Sequence, residues 1–465
     1  MAVKIKFLGG AKTVTGSSHL VSLERSSQVL LDAGLFQGRR EEFYKLNTTF
    51  NFNPRTLNAL ILSHAHIDHC GNIPSLIKNG LRCKIYTTHA TKDLCELMLE
   101  DSAKIQQEDI RYLNKINRGL GLPLRKALYT EKDVVKAIRR VHQLPYGRRA
   151  LVARDVFATL YNAGHILGSS IIVLELKDGL NTIRIGYAVD LGRKNLPMLD
   201  NPQAPEGLDY LILESTYGGR AHAPIEEAKT KLKEVVNRTI GRGGKMLIPA
   251  FSLERTQEVI YLLSELFTEK AIPLIPIYVD SPLAAAITDS FVSHTDYMSD
   301  SASRAINEGA NPFELLNLRF IRDQKESKRL NIDKRPMIII AGSGMCESGR
   351  ILHHLKNNIE DTRNTVLVVG YMAKDTLGKK IVDKARIVRI FGVEYELNAE
   401  VVVMNSLSAH ADKNDLADFV SKCLPLRRIF LVHGDEEQSL ILADTLAKTG
   451  LNVYVPSKDE ELVLS

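Results

Sequence analysis

His64-Ala65-His66-Ile67-Asp68-His69 is the stretch on which the reading of this chain turns. It follows Ala59-Leu60-Ile61-Leu62, a short continuous apolar run that reads as a buried strand. Two histidines at i and i+2 on an extended segment point to the same side, so His64 and His66 can share one metal ion. Asp68 and His69, just beyond, can turn to a second. Imidazole suits zinc, and a hard carboxylate helps to hold a second divalent ion. With 13 His in 465 residues, chance would give this pattern in roughly 1 of 2000 such chains. A purely structural zinc site favours Cys and a closed four-ligand shell, which the run does not offer.

A two-metal centre needs ligands from elsewhere, and three residues stand at turn-like strand ends. His165 lies in Asn162-Ala163-Gly164-His165-Ile166-Leu167-Gly168-Ser169, Asp190 in Ala188-Val189-Asp190-Leu191-Gly192, and His433 in Leu431-Val432-His433-Gly434-Asp435. Each alone reads equally well as an ordinary loop residue. Together with the run they make seven ligands, which suits two metals sharing a bridging carboxylate.

The rest of the composition sets the class. A chain of 465 residues, 44% hydrophobic and 25% charged, is a globular protein too long for one core. No apolar run approaches the roughly 18–20 residues that span a bilayer, and the start Met1-Ala2-Val3-Lys4 leads straight into a strand pattern without a signal-peptide core. The expected location is cytoplasmic, with no membrane partner. Five cysteines (Cys70, Cys83, Cys95, Cys346, Cys423) with no Cys-x-x-Cys pair speak against a disulfide framework or a thiolate zinc site, and Cys70 reads as a small buried packing residue. The net charge is +6, yet Lys104 to Arg149 holds 12 Lys/Arg and 4 Asp/Glu, leaving −2 for the remainder. That segment reads equally as a footprint for a phosphate backbone or as a solvated helical hairpin.

Along the chain, Val3–Leu8, Gln28–Leu31 and the stretch from about Val152 to Val189 read as strands with turns. Residues 91–145 read as helices broken near Gly119-Leu120-Gly121-Leu122-Pro123. After Glu214, helices (Pro224–Arg238, Glu254–Phe267, near Gly349–Leu355) alternate with apolar strands (Met246–Pro249, Ile277–Val279, Pro336–Ala341, Val366–Val369). Such alternation implies a parallel sheet with helices on both faces. Strands return around His410 and His433.

These motifs resemble the metallo-β-lactamase superfamily, specifically its β-CASP branch of nucleic-acid hydrolases, over nearly the whole chain. Leu31-Asp32-Ala33-Gly34 is similar to the first motif, whose Asp buttresses the metal loop; His64 to His69 match the second, and His165 and Asp190 the third and fourth. Glu214 in Glu214-Ser215-Thr216-Tyr217-Gly218, His410 in Ser408-Ala409-His410-Ala411-Asp412 and His433 match the β-CASP motifs, with support from Pro249-Ala250-Phe251, Asp280-Ser281-Pro282-Leu283 and Gly342-Ser343-Gly344-Met345. The resemblance implies an α/β fold: an αββα metallo-β-lactamase sandwich (1–215 and 401–465) with an inserted α/β β-CASP domain (216–400). It assigns His64, His66 and His165 to one metal, Asp68, His69 and His433 to the other, and Asp190 as the bridge. The expected cofactor is two Zn2+, with Mn2+ as the alternative. Departures are Val189 where a Gly usually precedes the bridging Asp, Ser252-Leu253-Glu254 in place of small residues, and Asp375 before Thr376-Leu377-Gly378. They touch loop shape, not ligands.

The implied chemistry is phosphodiester hydrolysis. Two ions about 3.5–4 Å apart activate water and polarise phosphoryl oxygens. Asp68, Glu214 and His410 are the expected catalytic residues, with His410 as the acid for the leaving oxygen and Glu214 orienting it. Ser343 and Gly344, where a strand meets a helix, are candidates to hold a phosphate or to form a packing turn. Lys12, His19 and His222 are candidate cleft residues, and His353 and His354 read as surface or packing positions. RNA-cleaving members of the branch resemble this chain in having Glu at the first insert motif and His at the last. The expectation is therefore a zinc-dependent ribonuclease on single-stranded RNA, an endonuclease with 5′-to-3′ exonuclease action alongside, compatible with a homodimer. The alternatives are a non-catalytic RNA-binding scaffold, which the full ligand set opposes, and a thioester or lactam hydrolase, which the long insert between Glu214 and His410 opposes.

Overall fold

The computed structural model describes residues 2–24, 26–38, 40–179, 181–373 and 375–464. The chain divides into two compact units, one formed by 1–194, 201–221 and 410–465, the other by 195–200 and 222–409.

The first unit is built on two seven-stranded sheets. In one, the order is Glu461–Leu464, Val3–Gly9, Ser18–Leu23, Ser27–Leu31, Ala59–Ile61, Lys84–Thr87 and Val141–Gln143. In the other it is Val453–Tyr454, Arg428–Val432, Tyr210–Glu214, Asn181–Ala188, Ser170–Asp178, Val156–Asn162 and Ala150–Ala153. Alternate side chains of each strand face the other sheet, as period-two patterning requires. Val3, Ile5, Phe7, Val21 and Val29 of the first sheet meet Leu160, Ile172, Leu174, Ile185, Ile212 and Phe430 of the second in one buried cluster. The other face of the second sheet offers Ile171, Val173, Leu211 and Leu213 to the apolar faces of the helices Lys413–Lys422 and Glu436–Ala447. Helices also stack on the first sheet's side, where Ile73–Lys78 and His89–Gly119 both pack against Glu131–Ile138. The result is the αββα sandwich expected from the sequence.

The second unit holds a six-stranded sheet in the order Leu318–Phe320, Ile277–Val279, Ile338–Ala341, Met246–Pro249, Thr365–Val368, Glu400–Val403. Every neighbouring pair is parallel. Its central strands are buried along their whole length, as fits a sheet covered on both faces. The βα reading of the insert is therefore correct, with shifts at the ends. The helix expected over Pro224–Arg238 runs Ile225–Gly241, so it starts one residue later and ends three residues later. Leu318–Phe320 and the hairpin Ile387–Ile390 with Val393–Glu396 lack a strong apolar period and were not legible. Nor was Val141–Gln143, a three-residue edge strand inside a stretch read as helix. His410 does not open a strand: it makes an isolated antiparallel bridge to Gly192 and precedes a helix.

Among the described residues, no helix is long and apolar enough to cross a membrane. All five cysteines are free thiols, and Cys70 is fully buried.

Candidate metal centre

The site forms where strands of the first unit end. Ala59–Ile61 stops, Leu62 and Ser63 continue extended, and His66 (φ −63°, ψ 147°) is the N-cap of the short helix Ile67–Cys70. His64 and His66 therefore leave an extended segment, while Asp68 and His69 leave a helical turn. Three other site residues directly follow or closely follow strands in the left-handed region: Asp32 (φ 58°), Asp190 (φ 60°) and His433 (φ 47°). Non-glycine residues in that region carry a strain of about 1–3 kcal/mol, and such strain collects at functional sites. His165 sits in a tight turn between Gly164 and Gly168, both at positive φ, with its N–H and that of Ile166 donating to Ser169 Oγ (3.1 and 3.2 Å). Gly192 is required for a different reason: a Cβ there would lie 1.9 Å from the Gly164 carbonyl oxygen. Backbone contact at that point holds the His165 and Asp190 turns together (Gly192 N–H to Ala163 O, 2.7 Å).

All seven expected ligands converge. His64 Nε2 lies 3.1 Å from His66 Nδ1 and 3.2 Å from Asp190 Oδ2, and His165 Nε2 lies 3.2 Å from His66 Nδ1 and 3.4 Å from Asp190 Oδ2. A tetrahedral zinc with bonds of 2.0–2.1 Å has ligand–ligand edges of about 3.3 Å, so these four distances already match such edges, while His66 Nδ1 to Asp190 Oδ2 is wider at 4.0 Å. The second group is His69, His433 and Asp68: the two Nε2 atoms are 3.2 Å apart and His433 Nε2 is 3.6 Å from Asp68 Oδ2. Asp190 Oδ2 is also 3.5 Å from His69 Nε2, so one carboxylate reaches both groups. Asp190 Oδ1 is buried, lies 2.8 Å from His433 Nδ1, and yet has no hydrogen bond of acceptable geometry. Imidazole nitrogens turned toward one another around a shared, buried carboxylate are what a pair of divalent cations would satisfy. His66 and Asp68, with side chains 27% and 23% exposed, are the ligands open to solvent; the others are buried.

Electrostatics point the same way. Burial pushes the His64 pKa down to about 4, with the His69 charge adding to it, and burial also holds His165 well below the ordinary value. Both rings are thus neutral, the form that coordinates metal. Burial is the largest effect on His69 and His433 as well and would lower both, but the carboxylates around them, Asp190, Asp32 and Asp68 for His69 and Asp190 and Asp68 for His433, together outweigh it and raise both. Burial raises Asp68, and the hydrogen bond and charge of His433 together with the His69 charge turn the net shift downward. The site has a surplus of carboxylate that calls for positive charge.

Asp32 is buried behind the ligands. Its Oδ2 accepts from His69 Nδ1 (2.7 Å), Ser63 Oγ (2.7 Å) and Tyr187 OH (2.8 Å), and its Oδ1 accepts from the Ser63 N–H (2.7 Å). Ser63 Oγ also lies 2.9 Å from His64 Nδ1. These contacts fix which nitrogen of His64 and His69 faces the centre. Ser63 and Tyr187 escaped the sequence reading; adjacency to the His run was the only signal for Ser63, and for Tyr187 there was none. Val189, where a Gly was expected, is buried in the inter-sheet core.

Glu214 ends the strand Tyr210–Glu214 and is fully buried. One oxygen accepts from the Leu191 N–H, and His410 Nδ1 donates to the carboxylate at 3.1 Å. The His410 ring centroid is 4.5 Å from that of His165. Burial would lower the His410 pKa, but the Glu214 and Asp190 carboxylates raise it above the ordinary value. The remaining candidates fall outside the two ligand groups, though His19 packs edge-on against Tyr187 at 5.5 Å between ring centroids. Lys12 Nζ pairs with Glu436 (2.7 Å). His19 is a fully buried ring that burial holds neutral, at about 3. His222, Ser343 and Gly344 belong to the second unit. There Ser343 Oγ accepts from the N–H groups of Glu347 and Ser348 (3.1 and 3.2 Å), and a Cβ on Gly344 would meet the Phe251 ring at 2.8 Å. His353 is exposed, while His354 is buried against Asp280 (2.7 Å).

Comparison with known proteins matches three family models in succession. A metallo-beta-lactamase superfamily domain covers residues 20–203, a Beta-Casp domain 256–381, and a Zn-dependent metallo-hydrolase RNA specificity domain 394–456. The chain is 35% identical to ribonuclease TTHA0252 of Thermus thermophilus, over 97% of each chain. It is 33% identical to the transcription termination factor FttA of Pyrococcus horikoshii, over 98% of this chain and 70% of the relative. A crystal structure of a protein of unknown function from Enterococcus faecalis V583 shares the fold over all of both chains, at a TM-score of 0.57 and 13% identity.

Proposed function

The chain belongs to the β-CASP branch of the metallo-β-lactamase superfamily and is a metal-dependent hydrolase acting on RNA, and from that premise we propose a zinc-dependent, two-metal ribonuclease that cuts single-stranded RNA endonucleolytically, with 5′-to-3′ exonuclease action alongside. The observation that carries this reading is the convergence of five imidazoles and two carboxylates at metal-ligand spacing, beside a His410–Glu214 pair.

His64, His66 and His165 would hold one ion, Asp68, His69 and His433 the other, and Asp190 both. Bound there, the two ions would supply Lewis acidity toward water and toward the scissile phosphate. The protein's own groups do the rest. Asp32 keeps His69 Nε2 turned to the centre by accepting a hydrogen bond from Nδ1–H, and Ser63 Oγ does the same for His64. Glu214 takes the His410 Nδ1–H, which leaves Nε2 to carry the proton given to the departing ribose oxygen. Glu214 also stabilises the charged imidazolium that can give it. Ser343 and Gly344 are proposed to contact a phosphate through the backbone of their loop. The five free thiols fit a cytoplasmic setting, and a homodimer is compatible with the reading. We propose the same division as the motifs imply, 1–215 and 401–465 for the hydrolase domain and 216–400 for the insert.

RNA labelled at the 5′ or the 3′ end tests this. Internal cuts visible from both labels, abolished by chelator and restored by Zn2+, are expected. Cleavage unchanged by chelator would refute the metal mechanism, and mononucleotides released from one end alone would refute the endonuclease.

A further inference from the structure

The proposed chemistry leaves unused the second half of helix His89–Gly119. Its inner face buries Ala103, Gln106 and Ile110. Its outer face carries two stripes. At about 100° per residue, Lys104, Arg111, Lys115 and Arg118 (i, i+7, i+11, i+14) fall in one narrow band, and Ile105, Tyr112, Ile116 and Leu120 in another about a quarter turn away. All eight are exposed, Tyr112 at 65%. None of the four cations forms an ion pair among the described residues, although by the same count Glu108 lies between the two bands and Asp109 falls within the apolar one. Exposed apolar side chains scattered singly need no explanation, but several in one place mark a surface that meets something.

The charge decides what. A second copy of the chain would bring two cationic bands together, which opposes self-association. A single RNA strand presents phosphates along one edge and flat apolar base faces along the other, which matches two parallel bands of opposite character. We propose that the outer face of residues 104–120 is an exosite for single-stranded RNA, with the cationic band on phosphates and Tyr112, flanked by Ile105 and Ile116, under a stacked base. This rests on the ribonuclease reading and adds a second place where the substrate is held. The helix is anchored to the metal centre's own unit: the hydroxyls of Thr88 and Thr91 at its start donate to the Gly168 carbonyl (2.7 and 2.8 Å), in the turn that carries His165. Lys104 stands about 24 Å along the axis from Thr88, at 1.5 Å per residue. The exosite therefore serves RNAs long enough to span from the centre to the band and is out of reach of very short ones.

The test compares wild type, the exposed-surface variant K104Q/R111Q/K115Q/R118Q and Tyr112→Ala, all as full-length metal-loaded enzyme. Each is tested for binding to a labelled RNA of about 30 nucleotides, longer than the roughly 4–16 nucleotides that one single-strand module covers. Cleavage of that RNA and of a tetranucleotide is followed in parallel. The quadruple variant should bind the long RNA with a log–log salt slope smaller by about 2.8, at roughly 0.7 per lost phosphate contact. Tyr112→Ala should bind about tenfold more weakly. Tetranucleotide cleavage should be unchanged in both. Long-RNA affinity and salt slope equal to wild type in both variants would overturn the exosite. So would unchanged RNA affinity together with an oligomer that Ile116→Glu splits in sedimentation, since the apolar band would then be a protein contact. If wild type cleaves neither RNA, the ribonuclease reading fails, while the binding comparison still decides the exosite.

Discussion

His410 is the residue whose role can be separated from metal binding. It touches Glu214 through Nδ1 and lies against His165, yet it stands outside the two ligand groups. Removing a general acid typically costs about 10²–10⁴ in rate. His410→Ala should therefore lower turnover on RNA by about that factor with metal content unchanged by mass spectrometry. Equal loss of metal and activity would make it a structural histidine. Asp32 gives the opposite signature, because its partner His69 is a proposed ligand. Asp32→Ala should weaken metal affinity by about 10–100-fold, the usual effect of removing a ligand's supporting partner, read by competition with a chelator. The converging His and Asp side chains were legible because coordination chemistry restricts candidate ligands to a few residue types. Ser63 and Tyr187 were not, because a hydroxyl that supports a ligand has no spacing rule and Tyr187 arrives from the neighbouring sheet.

At the scale of elements, strand ends make the site and buried networks hold the insert. Asp280, at the end of Ile277–Val279, accepts from Ser327 and Arg350 and lies 2.7 Å from His354 Nε2. Burial alone would raise its pKa, but His354, Ser327 and Arg350 together hold it below the ordinary value. A carboxylate whose folded pKa is depressed contributes stability that is present above its unfolded value and lost as pH falls through the folded one. Denaturant unfolding should therefore show wild type losing stability below about pH 4, the unperturbed Asp range. Asp280→Asn should cost about 3 kcal/mol at pH 7, as breaking a buried pair does, and should lose that part of the acid dependence. Equal stability of the two proteins at pH 7 would contradict the network's role. The strand Ile277–Val279 was readable from its apolar run, and Asp280 was quoted as a motif. His354 as its partner was not, since the two are joined only by packing of a helix against the sheet. Helix ends shifted where no capping side chain marks them, as at Pro224 and Arg242.

At the scale of the whole molecule, the ligand set ties the first sheet's crossover to the chain's far end. Strand Arg428–Val432 lies parallel to Tyr210–Glu214 and delivers His433 beside Asp190. Metal binding should thus stabilise the fold, by about 4 kcal/mol at a free concentration a thousandfold above Kd. Thermal melts with and without chelator should differ by several degrees, and coincident melts would argue against a metal bound across these segments. The sandwich, the inserted parallel sheet and the metal run were legible in the sequence. Which strand ends meet was not, because that depends on pairing between segments hundreds of residues apart. A truncation before His433 would also strip Val3–Gly9 of its neighbour Glu461–Leu464. The point substitution isolates the ligand. Metal ions per chain, counted by mass spectrometry in wild type and His433→Ala, with RNA cleavage assayed on the same preparations, test the two-metal centre most directly. Two ions and chelator-sensitive cleavage in wild type, with one ion and cleavage lost in His433→Ala, are expected; two ions retained by the variant, or cleavage by metal-free wild type, would contradict it.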